Sequence, residues 1–365
     1  MNDIKIHNGR TSKNTEKECK IVIYNPIILL GGRSTELHGY AVEFIKNYVD
    51  YVYIANPRIM RKIKNKITKL MPQKEIKCTM SIQECNQKCD VMVGFHTWRF
   101  ETRLDKFTGL KVFHLLDYYL DVEDKRRFLL RNKIDFVIGY TQMDKFCPFF
   151  KKYYAEWIGK SYELPYGYDK RFQNKVNFEQ RINRAVGLGS INPVDDPLCR
   201  SKQKKQLVDF FGDKEYQHET RRYLQMHAEQ FSGIIDAKFP PFGKQKDFSY
   251  DAVAMMNAYK MFINDEGVAN FPPARTFEGI ASGTVMVAAY NEIYSDLGFI
   301  PDYNYIAFEK GNYTDLKEKI TYYMMHDEKL KQLQKNSLIL AHNYSHQEIA
   351  KKLFMFVQEE KVNYR

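Results

Sequence analysis

Ala274-Arg275-Thr276-Phe277-Glu278-Gly279-Ile280-Ala281-Ser282-Gly283-Thr284-Val285-Met286-Val287-Ala288 is the stretch that decides the fold. It follows Pro272-Pro273, which predicts a loop, then a short helix opening near Thr276 and closing at Gly283, then a buried strand over 284–288. The start of such a helix offers unpaired backbone N–H groups and a positive dipole end, which suit a phosphate. Arg275 beside it can add a bidentate, charge-assisted pair. Glu278, in the first turns, can accept two hydrogen bonds from the hydroxyls of a ribose. Gly279, Ala281 and Ser282 are small enough to let a ligand approach the backbone. Taken alone, the segment reads equally well as an ordinary helix–strand unit with a surface glutamate.

Upstream, short apolar runs alternate with helical patterns. Strands are expected at 20–24, 51–54, 75–78, 90–95, 111–116 and 135–139, with helices near 35–48, 58–70, 122–131 and 142–154. The pattern restarts after a polar stretch at 173–183. Strands follow at 184–188, 260–264, 284–288 and 305–308, and three helices close the chain near 313–326, 328–342 and 346–359. Near-continuous apolar strands separated by helices predict parallel sheets covered on both faces. Two α/β domains facing each other is the simplest architecture, with a site in the cleft beyond the carboxyl ends of the strands.

The composition agrees. Of 365 residues, 44% are hydrophobic and 28% charged, which excludes wholesale disorder. No apolar run is long enough for a transmembrane helix and the first 18 residues hold no signal-like core, so a cytoplasmic protein is expected. The six cysteines form no metal-ligand spacing and are expected as free thiols. The net charge of +11 lies wholly in the first half, where residues 1–172 hold 31 Lys+Arg against 20 Asp+Glu. Residues 58–77 alone carry eight basic side chains against Glu75. That field suits an anionic membrane, and a peripheral location on the inner face of a membrane is one expectation. The alternative is the solvated face of an ordinary helix. Nucleic acid is not expected, since no stacking aromatics interleave the cluster.

The 274–288 segment resembles the nucleotide-sugar signature of group 1 glycosyltransferases with the GT-B fold, in particular the subset reading P-x-R-x-F-E-x-x-A-x-G. The resemblance extends through 296–299, 305–309 and 313–327 to His342-Asn343-Tyr344-Ser345-His346. In the first half, Leu30-Gly31-Gly32-Arg33-Ser34-Thr35-Glu36 resembles the family's glycine loop, where donor phosphate or acceptor approaches the backbone. Asp90–His96 resembles the strand ending in a sugar-contacting histidine, and Val112–Asp117 the next strand. Leu164–Phe172 is similar to the interdomain P-N-G-V-D motif. These matches keep the family order from about residue 20 to 355.

The resemblance implies a metal-independent glycosyltransferase needing no cofactor. Its donor would be a nucleoside-diphosphate sugar and its acceptor a hydroxyl on a glycan or lipid-linked molecule in cell-surface polysaccharide or glycoconjugate synthesis. It implies a flexible tail at 1–18, an acceptor-side Rossmann-like domain at 19–172, a donor domain at 173–345, and a final helix at 346–365 crossing back. Donor contacts are expected from Glu278, Arg275, Thr276, Phe277, Gly279, Lys260, Asn270 and Gly189, with Gly31 and Gly32 on the acceptor or phosphate side. His96 and Asp117 are the candidate catalytic residues, each able to act as a general base. There are two departures. Asn270 stands where the family's E-x7-E has its first glutamate, and the Arg and Lys that follow the first C-terminal strand are missing from 186–192. They motivate the alternative of a catalytically inactive binding or scaffolding protein.

Overall fold

The structure, a computed structural model, describes residues 19–31, 38–73, 75, 77–79, 81–95, 103–191, 205–212, 216–239 and 250–364. The described residues hold two parallel sheets flanked by helices. The first contains β1 (Ile21–Tyr24), β2 (Tyr51–Tyr53), β3 (Lys77–Thr79), β4 (Val91–Phe95), β5 (Leu110–His114), β6 (Phe136–Gly139) and β7 (Ser161–Glu163), in the order β3-β2-β1-β4-β5-β6-β7. The second contains β8 (Ile182–Leu188), β9 (Ile235–Lys238), β10 (Tyr259–Ile263), β11 (Val285–Ala289) and β12 (Ile306–Phe308), in the order β12-β11-β10-β8-β9. All recorded pairings between these strands are parallel.

The central strands β4, β10 and β11 are buried along their whole length. Their near-continuous apolar runs, broken in β10 only by Lys260 near its start, suit a sheet covered on both faces. Helix α1 (Gly39–Tyr48) follows β1, and α2 (Pro57–Leu70) follows β2. Asn56 caps α2 by accepting from the Arg58 and Ile59 amides at 3.0 and 3.3 Å, with Pro57 in the first turn. Only Ile63 and Ile67 of α2 are buried, leaving its cationic face to solvent.

The last helix, α14 (His346–Asn363), starts on the Ser345 cap and packs along α1. Phe354 stacks on Tyr48 at 4.2 Å, and Phe356 stacks on Tyr162 of β7 at 3.9 Å. Gly39 is required there, because a Cβ at that position would lie 2.2 Å from the His346 ring.

Several polar contacts join the halves across the cleft. The Tyr118 hydroxyl donates to the Ala269 carbonyl at 2.6 Å. Asn270 Nδ2 donates to the Phe146 carbonyl at 3.0 Å, and Lys145 pairs with Asp296 at 2.9 Å. Cys19, Cys78, Cys85, Cys89 and Cys147 are free thiols.

Candidate active site

In the second sheet the chain runs from β8 outward to β9, then returns to β10 and continues the other way, so the strand order reverses between β8 and β10. Ligands of open α/β sheets bind beyond the carboxyl ends of the strands at such a point. There β8 turns at Gly189, whose φ of +117° favours glycine. Two guanidinium groups converge on that turn. Arg275 donates to the Leu188 carbonyl, and Arg221 donates to the Ser190 carbonyl at 3.1 Å and the Asp265 carbonyl at 3.2 Å. The Nε of Arg275 is buried and has no hydrogen-bond partner among the described residues.

Arg221 comes from helix α8 (Glu219–Met226), on the opposite face of the sheet from α10 (Ala274–Ala281), which carries Arg275. Burial, and then the neighbouring Arg275 charge, push the Arg221 guanidinium down to about 9. Burial alone would raise the Asp265 carboxyl, but His218 and Arg221 outweigh it and hold the group well below the usual range. His218 Nδ1 stands 3.6 Å from Asp265 Oδ1. Burial and the Arg221 charge bring His218 down to about 4, so it is neutral near pH 7. Among the described residues the turn thus holds two cations against one carboxylate, an arrangement that favours an anion.

Helix α10 begins at Ala274, two residues earlier than expected, with Pro273 as its cap. Its first turn carries Arg275, whose guanidinium reaches the Gly189 turn at the Leu188 carbonyl, while the Thr276 amide is bonded to the Pro273 carbonyl. Glu278 lies half-buried one turn on. Burial raises its carboxyl to about 7, against the pull of Arg275 and Arg171. Four expectations on and near this helix need correction. The Thr276 side chain is fully buried and accepts from Asn264 Nδ2 at 2.8 Å, and its amide donates to the Pro273 carbonyl at 3.0 Å, so neither is open to a ligand. Phe277 is core, its ring 4.6 Å from that of Tyr344. Gly279 serves the sheet rather than a ligand, since a Cβ there would lie 2.4 Å from the Phe262 ring. Lys260 stands at the start of β10, at the opposite end of the sheet from Asn264, and is held by both Asp327 carboxylate oxygens at 2.5 and 2.7 Å. Its apolar neighbours gave it a place in a strand, and direction along the strand could not be read from its charge.

Beside the anion turn lies a cavity of about 520 Å³, lined by Asp265, Glu266, Asn291 and Lys310 of one half and by Phe146 and Pro148 of the other. Glu266, out of register with the sequence motif, is buried there. It accepts from Asn291 Nδ2 at 3.0 Å and the Tyr294 hydroxyl at 3.2 Å. Burial and the Asp265 charge raise its carboxyl. Asn270, in the left-handed region at φ +53°, faces Phe146 and Asn291 at the edge of this cavity.

Across the cleft, Asp117 follows β5 at φ +42° and is half-buried. The fully buried Lys125 fixes its turn through the carbonyls of Leu116 and Asp117 at 2.6 and 2.5 Å. Tyr140 and Tyr166 stack at 3.8 Å beside it, and His38 stacks on Tyr166. Burial holds both hydroxyls well above the ordinary tyrosine value, and the Asp117 charge adds to this. Gly31 has φ −91° and ψ +123°, an extended conformation that any residue adopts, so the turn does not need glycine there. Gly32 and His96 lie outside the described residues. Among the described residues, no group of three or more His, Cys, Asp or Glu could hold a metal ion.

Residues 210–353 match the family model described as "Glycosyl transferase-like". HepE of Anabaena, solved in complex with UDP-glucose, superposes with a TM-score of 0.54 at 11% identity, over 93% of this chain and 99% of that one. A glycosyltransferase from Rickettsia africae gives 0.54 at 12% identity, over 96% and 100% of the two chains. The fold is GT-B. Sucrose-phosphate synthase from Thermosynechococcus elongatus shares it, with a TM-score of 0.51, 10% identity and coverage of 94% and 100%. At these identities the likeness is one of architecture. No curated protein matches the chain in sequence.

Of two further groups in the GT-B cleft, Arg221 escaped sequence reasoning and Glu266 stood off the register of the E-x7-E motif. Arg221 and Glu266 arrive at the site only through the packing of α8 and the loop after β10. The Asp265-Glu266-Gly267 sequence directly after an apolar run was the available signal for Glu266. Arg221 sits in a polar helix with nothing local to mark it.

Proposed function

We propose that this chain is a glycosyltransferase that moves a sugar from a nucleoside diphosphate to a hydroxyl of a glycan or lipid-linked acceptor, in polysaccharide or glycoconjugate synthesis. The observation that carries the reading is the pair of guanidiniums, Arg221 and Arg275, flanking Gly189 beside the first amides of α10. A departing diphosphate accumulates negative charge, and preorganised cations and helix amides stabilise it with no reorganisation at the moment of reaction. These groups then do what a divalent ion would otherwise do. Glu278 accepts the ribose hydroxyls, and the cavity at Glu266 takes the donor sugar. UDP and UDP-glucose in the HepE structures support a nucleotide-sugar donor.

In this reading the acceptor lies against Asp117 and the tyrosine stack, and Gly31 and Gly32 serve the acceptor or the phosphate. Asp117 takes the acceptor proton, or His96 does so. We prefer this reading to an inactive binding protein because two residues can stand in for the sequence departures. Arg221 supplies the cation missing after β8, and Glu266 supplies the carboxylate missing at Asn270.

The cationic face of α2 is proposed to hold the protein at an anionic cytoplasmic membrane surface, where a lipid-linked acceptor would be met. Among the described residues no helix is long and apolar enough to cross a membrane.

Thermal unfolding with UDP and with uridine tests the donor reading. UDP should raise the midpoint well beyond uridine, because stabilisation follows affinity. Equal shifts for the two would contradict the anion site.

A further inference from the structure

A line of half-buried hydrogen bonds runs from a backbone carbonyl of the first domain to Glu266. The Phe146 carbonyl, at the end of α5 (Met143–Phe146), accepts from Asn270 Nδ2 at 3.0 Å. Asn270 Oδ1 accepts from Asn291 Nδ2 at 2.7 Å, and the same Nδ2 donates to Glu266 Oε1 at 3.0 Å. Asn291 Oδ1 is committed to the Ile293 amide at 3.2 Å, where Asn291 caps helix α11 (Glu292–Asp296). Neither amide can turn over. If Asn291 flipped, its carbonyl would face Asn270 Oδ1 and the Glu266 carboxylate. If Asn270 flipped, its carbonyl would face that of Phe146. Donors and acceptors are therefore fixed along the line. Asn270 holds its left-handed φ of +53°, which asparagine tolerates better than most residues. The first domain also grips this loop through Tyr118 on the Ala269 carbonyl at 2.6 Å and Cys147 Sγ beside the Ala269 and Asn270 carbonyls.

We propose that Asn270 and Asn291 are positioning residues that orient the Glu266 carboxylate only while the two domains stand in this relation, so that closing the cleft and readying Glu266 are one event. The inference rests on the donor reading, which places Glu266 at the sugar. It assigns Asn270 a role other than donor contact. When the domains part, the Phe146 carbonyl leaves, Asn270 loses the bond that fixes its rotamer, and Asn291 is left with its Ile293 cap alone to hold its amide on Glu266. A transferase gains from this arrangement because the carboxylate is poised only when the acceptor side is in place and water is excluded.

The groups facing Glu266 are Asp265 on its own loop, Tyr294 of α11, Lys310 after β12, and Asn291. The Asp265 charge favours the protonated acid. Lys310 and the Asn291 amide favour the carboxylate. Loosening Asn291 should therefore raise the pH at which Glu266 ionises.

Infrared difference titration of the full-length protein reads this without any donor. The carbonyl band of the protonated acid is assigned by its loss in Glu266→Gln. In Asn270→Gly, which keeps the backbone conformation, its midpoint should rise by roughly one pH unit. Tyr118→Phe, which cuts only a first-domain contact, should shift it the same way by less. UDP affinity should stay within about twofold of the parent in both variants, which also reports that they are folded. A midpoint unmoved in both variants would overturn the relay. If the parent fails to bind UDP, the donor reading fails, while the infrared midpoint still decides the relay.

Discussion

Arg221 and Arg275 bracket one turn from opposite faces of the second sheet. Arg221 donates to the Ser190 carbonyl at 3.1 Å, and Arg275 donates to the carbonyl of Leu188 two residues earlier. Between them a Cβ on Gly189 would lie within 2.2 Å of the Arg275 guanidinium. Like charges held this close in a buried setting repel; burial first, and then the Arg275 charge, lower the Arg221 guanidinium. A diphosphate at the turn would relieve that repulsion.

Arg275→Gln should therefore weaken UDP binding ten- to hundredfold, the loss of a charge-assisted contact of about 1.5–3 kcal/mol. Uridine binding should hardly change. Arg221→Lys keeps the charge but not the fork and should lose less. Calorimetric titration of UDP and uridine into each variant checks this, and an unchanged ratio of the two affinities would remove the arginines from the site.

Glu278 offers a pH test. Its carboxyl is raised to about 7, so the folded chain holds this proton over a window where the unfolded chain has released it. The free protein should lose stability as pH rises from the ordinary carboxylate range through about 7. Glu278→Gln removes that loss and should raise the melting point by roughly 2 °C at pH 8. Since the ribose hydroxyls need the carboxylate as acceptor, parental UDP affinity should fall as pH drops below about 7, and the variant should bind weakly at every pH. A variant melting like the parent at pH 8, with parental UDP affinity, would displace Glu278 from the site.

Asp117→Asn preserves the left-handed turn, because asparagine tolerates φ of +42° as well as aspartate does. It removes only the proton acceptor. Transfer to an acceptor alcohol should fall on the order of 10²-fold, while UDP affinity stays at the parental value. Transfer at the parental rate would move the general base elsewhere.

The sheets were legible because burial on both faces favours near-continuous apolar runs. β4, β5 and β11 lie within a residue or two of their expected bounds. The edge strands β7 and β9 were not legible. Ser161-Tyr162-Glu163 and Ile235-Asp236-Ala237-Lys238 carry polar residues that an edge permits and a pattern search reads as loop. Helix α3 (Ile82–Lys88) buries a single residue, Cys85, and so showed no stripe. The expected helix at 142–154 breaks at Cys147, because Pro148 cannot continue it. At the site, Arg275 and Glu278 were legible because one local motif holds both. The partners of each, Leu188 and Arg221 for one and Asp169 and Arg171 for the other, come from distant chain, and no spacing encodes them.

The exposed cations of α2 give a test on vesicles. Each Lys or Arg near an anionic surface contributes about 1 kcal/mol. The protein should sediment with vesicles containing phosphatidylserine, release with salt, and ignore neutral vesicles. Changing Lys62, Lys64, Lys66 and Lys69 to Gln should abolish sedimentation and spare UDP binding. If the parent ignores anionic vesicles at low salt, the face is simply solvated.

The most direct measurement incubates the protein with a panel of nucleoside-diphosphate sugars and follows release of the nucleoside diphosphate, with water or a short alcohol as acceptor. The account predicts that one donor class is turned over. It also predicts that Glu266→Gln and Arg275→Gln each reduce that turnover at least tenfold while remaining folded. Turnover that survives both substitutions, or a panel in which no donor is bound or cleaved, would contradict it.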